Sequence, residues 1–122
     1  MTADHKVQVR VRRAYEVPGR ADGARVLVDR LWPRGLAKAK AHLDEWCKQV
    51  APSTELRQWY HHDPDLFEEF GRRYREELLD PERAQALAHL RDLAGERTLT
   101  LVTATKQPEI SEAEVLAELL RS

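Results

Sequence analysis

Two short apolar segments, Val26-Leu27-Val28 and Thr98 to Thr103, stand far apart in the chain with helix-patterned sequence between them. A continuous apolar run is the mark of a strand buried on both faces. The later segment, Thr98-Leu99-Thr100-Leu101-Val102-Thr103, is β-branched and apolar, opened by Gly95 and closed by Pro108. A buried strand, a helical crossover and another buried strand call for parallel pairing. Val7, Val9 and Val11 alternate with Gln8, Arg10 and Arg12, which predicts a further strand with one polar face. The turn residues Val17-Pro18-Gly19 and Asp22-Gly23 end it. A hairpin and a crossover both fit this connection, so the direction of the first strand stays open. The expected fold is α/β: one small domain over residues 1–122, with a short, mostly parallel sheet of about three or more strands flanked by about five helices. A mixed α+β layer is the alternative.

Leu43, Trp46, Cys47 and Val50 fall at i, i+3, i+4 and i+7, so an amphipathic helix is expected over residues 37–50, with Cys47 on its core side. Ser53 or Thr54 caps a short helix carrying Leu56, Trp59 and Tyr60. Asp63-Pro64 and Asp80-Pro81 each read as a cap followed by proline at the first helical position. The first opens a helix burying Leu66, Phe67, Phe70, Tyr74 and Leu78; the second opens one burying Leu87, Leu90 and Leu93. Ser111 with Glu114 fits a capping box ahead of Val115, Leu116, Leu119 and Leu120.

Hydrophobic residues at 42% and charged residues at 34% describe a chain able to build a core. No apolar run approaches the roughly 20 residues that span a bilayer, and Met1 to Arg13 alternates rather than forming a signal peptide. Location in the cytoplasm, away from any membrane, is the expectation. The single cysteine excludes an internal disulfide. The net charge of −1 conceals an asymmetry: residues 1–40 carry ten Lys and Arg against four Asp and Glu. Such a concentration makes a positive cleft for phosphate, sulfate or carboxylate groups, or else pairs with the acidic helices that follow. At pI 6.5, without a helix-turn-helix or RNA-binding signature, nucleic-acid binding through Arg10, Arg12, Arg13 and Arg20 ranks last.

Ligands of open parallel sheets bind beyond the carboxyl ends of the strands. That rule selects Asp29, Arg30, Trp32 and Arg34 after the second strand, and Thr103, Thr105, Lys106 and the Ser111-led helix after the last. Asp29 suits a general base or substrate orienter, while Arg30 and Arg34 suit a bidentate clamp on an oxyanion. The plainer reading pairs Asp29 with an arginine or makes it cap a turn. Trp32 reads as packing, or as an indole stacking on a flat ligand. Lys38 and Lys40, in the opening turns of a helix, are less anomalous if an anion binds there. His62 is a candidate acid–base group or cleft wall. His61-His62-Asp63 lacks a second ligand pair at metal spacing, so no metal and no cofactor are expected. Cys47 reads as an inert buried thiol.

The stretch Arg25-Val26-Leu27-Val28-Asp29-Arg30-Leu31-Trp32-Pro33-Arg34-Gly35 closely resembles the YeaO-like branch of the family catalogued as domain of unknown function 488. The likeness continues through Leu43 to Trp46, Ala51 to Arg57, Trp59, His62-Asp63-Pro64, Phe70 and Tyr74 to Leu78. The resemblance implies a small bacterial or archaeal α/β protein, without naming a reaction or substrate. Members of this branch usually carry a Lys or Arg with an acid after the last strand, then a His-Asn pair opening the final helix. Here Lys106 is followed by Gln107, and Ile110-Ser111 stand where that pair is expected.

The leading functional expectation is a small enzyme or binding protein for an anionic small molecule. Its candidate catalytic residues are Asp29, Arg30 and His62, and its candidate ligand-binding residues are Trp32, Arg34, Lys38, Lys106 and Ser111. The alternative is a non-catalytic regulatory or protein-interaction module. Oligomeric state is not legible.

Overall fold

The computed structural model describes residues 7–122; the first six residues of the alternating N-terminal segment lie outside the described residues. Four parallel strands form one sheet in the order β1-β4-β2-β3: β1 Val9–Arg13, β2 Ala24–Leu27, β3 Glu45–Trp46 and β4 Leu99–Thr103. The first strand is thus parallel to β4, pairing Val9 with Leu99 through Arg13 with Thr103. On the other side β4 pairs Leu99 with Ala24 and Val102 with Leu27. The last strand in sequence lies between two early ones and is buried along its whole length.

Alternation divides β4 between the two faces of the sheet. Leu99 and Leu101 join Val26 and Val28 in the main core, while Val102 joins Leu27 and Ala14 in a smaller one. The helices α2 Thr54–Tyr60, α3 Phe67–Glu77, α4 Pro81–Glu96 and α5 Glu112–Arg121 contribute to the main core. Their apolar residues fall largely as the spacing predicts: Phe70, Tyr74, Leu90, Val115 and Leu116 are buried, and Leu87, Leu93 and Leu119 pack on the core from its margin. Trp32, Leu36 and Leu43 pack on the smaller face.

The helix expected over residues 37–50 is not formed. The only α-helical turn there is α1, Lys38–Ala41, stopped by His42 in the left-handed conformation (φ 49°), and a single 3-10 turn follows at Lys48–Val50. The chain then becomes β3, with Asp44 N–H donating to the Arg25 carbonyl and Cys47 N–H to that of Leu27, both at 2.8 Å. The exposed flank of β2 requires backbone partners, and edge pairing supplies them. A helical stripe would have put the four spaced residues on one face. Instead Leu43 packs on the smaller face, Cys47 and Val50 enter the main core, and Trp46 stays exposed.

Two expected caps also differ. Ser53 accepts from Leu56 N–H as anticipated, but Ser111 donates its hydroxyl to the Pro108 carbonyl at 2.6 Å and makes no capping bond to α5. Asp80 precedes Pro81 as expected, yet its carboxylate pairs with Arg83 at 2.8 Å.

Three arginines of the basic N-terminal third are tied to its own acids. Buried Asp22 accepts from Arg25 at 2.6 Å and lies 3.4 Å from Arg10 and 3.8 Å from Arg12, whose Nε is 3.2 Å from Glu16. Among the described residues, no ion pair joins residues 7–40 to the acidic helices. Arg25, also buried, donates further to the carbonyls of Ala41 and His42. Gly23 between them has φ 65°, and a Cβ there would lie 2.2 Å from the Thr98 carbonyl oxygen, so only glycine allows β2 to begin against β4. Burial alone would raise the Asp22 pKa, but the Gly19 N–H and the Arg25 and Arg12 guanidinium groups outweigh it and hold it below its usual 3.8.

Removing one member of a buried pair strands the other. Asp22→Asn is therefore expected to lower unfolding free energy by about 3–5 kcal/mol in denaturant titrations near pH 6. A depressed carboxyl pKa stabilises the fold above its unfolded value and ceases to do so as pH falls through the folded one. The gap between variant and wild type should accordingly narrow below pH 3.8.

Candidate functional site

Where β2 and β4 end side by side, Val28 N–H still donates to the Val102 carbonyl at 3.1 Å. The next residue, Asp29, then reaches across. Its Oδ1 accepts from Thr103 Oγ1 at 2.7 Å and its Oδ2 from Ala104 N–H at 2.8 Å. The Asp29 carboxylate thus fastens the two strand ends together, and it lines a pocket of about 590 Å³ at the carboxyl edge of the sheet. Arg30, Trp32, Arg34, His62 and Ser111 line the same pocket, so six of the eight residues selected from sequence are brought together. Lys38 and Lys106 are exposed and do not line it. The short α1 leaves Lys38 on a surface turn, and nothing about its placement calls for a bound anion.

The loop after β2 is held at several points. Trp46 Nε1 donates to the Asp29 carbonyl and Tyr15 OH to the Arg34 carbonyl, both at 2.8 Å. Trp32 Nε1 donates to Leu36 O at 2.7 Å, and its ring meets Trp46 edge-on with centroids 5.6 Å apart. Trp32 is therefore a packing residue that also shows a face to the pocket. Arg30 donates to Thr54 Oγ1 at 2.8 Å, a neutral partner that leaves its charge uncompensated. Tyr60 closes another side by donating to the Ile110 carbonyl at 2.6 Å; burial, with Asp63 and Glu112 nearby, pushes its phenol up to about 12. After α2, His61 and His62 are consecutively left-handed (φ 47° and 54°) and turn the chain along the rim.

Two charged residues of the pocket had not been singled out from sequence, Arg57 on α2 and Glu112 at the start of α5. Glu112 keeps part of its surface open to the pocket, yet protein crowds its carboxyl. Burial, then the charge and contact of Asp29, push its pKa well above the usual 4.5, outweighing its own backbone N–H and the charge of Arg57. A glutamate in a helix's first turn is so ordinary a companion of the dipole that nothing in the sequence marked this one. Among the described residues, neither Asp29 nor Glu112 forms an ion pair, and neither do Arg30, Arg34 or Arg57. No three His, Cys, Asp or Glu side chains among the described residues are grouped to hold a metal ion. Cys47 lies in the main core, where burial and the charge of Glu45 push its thiol up to about 11 against the Val50 N–H. That is the state of an unreactive thiol. No helix among the described residues is long and apolar enough to cross a membrane.

A parallel sheet whose strand ends are fastened over an arginine-bearing pocket defines a small α/β protein with a preformed concave site. Comparison with known proteins makes the placement specific: the chain belongs to the family of domain of unknown function 488, residues 8–122 matching the model described as "Inactive DUF488-N3 subclade". It is 53% identical over 115 residues to an uncharacterised protein of Mycobacterium tuberculosis and equally to one of Mycobacterium bovis, covering 94% of this chain and 95% of each relative. It is 40% identical over 116 residues to the uncharacterised protein YeaO of Escherichia coli, covering 95% of this chain and 99% of that one. No solved structure matches the chain.

A carboxyl group whose pKa is raised by folding stabilises the native state below its unfolded pKa and loses that contribution as pH rises through the folded value. Glu112→Gln should therefore melt above wild type at pH 8, where wild type must keep a proton on Glu112 or bury its charge. The two melting temperatures should converge toward pH 4.

Proposed function

We propose that this protein binds an anionic small molecule in the pocket at the carboxyl ends of β2 and β4, and binds it without turnover. The observation that carries the reading is the placement of Arg30, Arg34 and Arg57 around one concavity with no carboxylate paired to any of them among the described residues. Guanidinium groups match carboxylate and phosphate oxygens in a planar fork, and they gain most where the protein has left them uncompensated. The loop bearing Arg30 and Arg34 is anchored by Trp46, Trp32 and Tyr15, so little ordering remains to oppose binding. A volume of about 590 Å³ suits a metabolite of ordinary size.

Binding without chemistry is favoured by what the candidate catalytic groups are doing. Both Asp29 oxygens serve structural donors, which leaves this residue poorly placed as a general base. Where the resemblance predicts a His-Asn pair, Ile110 offers its carbonyl to Tyr60 and Ser111 gives its hydroxyl to Pro108. The subclade's description as inactive agrees with this reading. His62, exposed on the rim, serves as wall rather than proton donor.

Isothermal titration with inorganic phosphate, ethyl phosphate and butyrate tests the proposal. At least one of these should bind wild type with an affinity that weakens as salt rises. Arg30→Ala/Arg34→Ala should lower that affinity about tenfold or more, the scale of losing a charge-assisted contact. Wild type that binds none of the three at millimolar concentration overturns it.

A further inference from the structure

The pocket is charged at two places that do not neutralise one another. Asp29 and Glu112, neighbours close enough to influence each other's charge, line the same cavity as Arg30, Arg34 and Arg57, and among the described residues no ion pair bridges the two sets. A carboxylate beside a free guanidinium normally closes onto it, so acid and base kept apart in one small cavity leave room for a molecule that carries both complements. The geometry points to a zwitterion as the ligand, its ammonium group seated between the Asp29 and Glu112 carboxyls and its anionic group held by the arginines. This rests on the anion-binding reading and adds the class of molecule.

The two carboxyls are unequal. Asp29 is fixed as an acceptor by the Thr103 hydroxyl and the Ala104 N–H, so it cannot turn away from its neighbour. Glu112 has only its own backbone N–H and Asp29 beside it, with Arg57 too weak an influence to offset them. Tyr60 of α2 and Tyr74 of α3 also feel its charge and are neutral phenols with raised pKa values, while His61, His62, Arg30 and Arg34 share the pocket lining. Two opposed carboxyls in such surroundings need a positive charge between them, and in the free protein a proton on Glu112 fills that need. An ammonium group brings three N–H donors on one full charge and satisfies both carboxylates together. On binding, the proton of Glu112 passes to solvent and the ligand's charge takes its place. The Thr103, Ala104 and arginine contacts are unaffected by that exchange.

Matched probes separate this from the reading beneath it. Phosphoethanolamine is compared with ethyl phosphate, and 4-aminobutyrate with butyrate, by isothermal titration at pH 7.5 in two buffers of different ionisation enthalpy. The aminated member of at least one pair should bind about tenfold more tightly than its partner, with net release of protons. In Glu112→Gln that advantage should shrink to within about twofold and the proton release should vanish. If this variant does not fold, proton release by wild type alone decides the matter. Equal affinities within both pairs, or binding without proton release, overturn the ammonium seat while the anion site stands. Failure of all four probes to bind overturns both.

Discussion

Because β4 is the last strand to be made yet lies between β1 and β2, everything at the pocket depends on one non-local pairing, that of Ala24–Leu27 with Leu99–Val102. It delivers Asp29 to Thr103 and Ala104, and without it the arginine loop and the start of α5 would have no common neighbour. The pairing is in turn enforced from its far end. Gly23 lets the chain enter β2 within touching distance of Thr98, and Thr100 donates its hydroxyl to the Asp22 carbonyl at 2.6 Å. Buried Asp22 and Arg25 thus sit at one end of the strands and the Asp29 clasp at the other. Parallel strands brought together over such a sequence separation carry a large closure entropy, and polar locks at both ends fix their register once the apolar faces have met.

Much of this arrangement is legible in the sequence. Val26-Leu27-Val28 and Leu99 to Thr103 are strands because their apolar runs have no polar face, and that same property forces them into the interior as neighbours. The rule that ligands sit beyond strand carboxyl ends then found Asp29, Arg30, Trp32 and Arg34 without any structural help. The reading failed where spacing alone stood for environment. Leu43, Trp46, Cys47 and Val50 satisfy a helical period, but β2 had an open flank, and its backbone demand outweighed a local pattern that the left-handed His42 had already interrupted. Lys38 opens a helix as expected, but that helix runs for four residues rather than the expected fourteen, and Lys38 does not line the pocket.

Arg57 and Glu112 were missed for a different reason. Each looks like a surface residue of its own helix, and only the packing of α2 and α5 around the strand ends turns them inward to one hollow. Ser111 shows the converse: its place at the head of α5 was correct, but its hydroxyl turns back to Pro108 and so holds the approach to the helix rather than the helix itself. Sequence patterns report what a residue does within its element. They are silent on which foreign element it will face, and a pocket is made almost wholly of such encounters.

The indole of Trp46 donates to the carbonyl of the very residue that clasps the two strands, and its ring rests against Trp32, which borders the pocket. The third indole, Trp59, lies on α2 beneath the guanidinium of Arg73. Two of the molecule's three tryptophans are therefore wired to the strand junction, while the third sits on a helix that borders the pocket through Gln58 and Tyr60. A shift of the loop by a fraction of an ångström would alter the polarity around that coupled pair, so the protein carries its own optical gauge of what happens in the hollow.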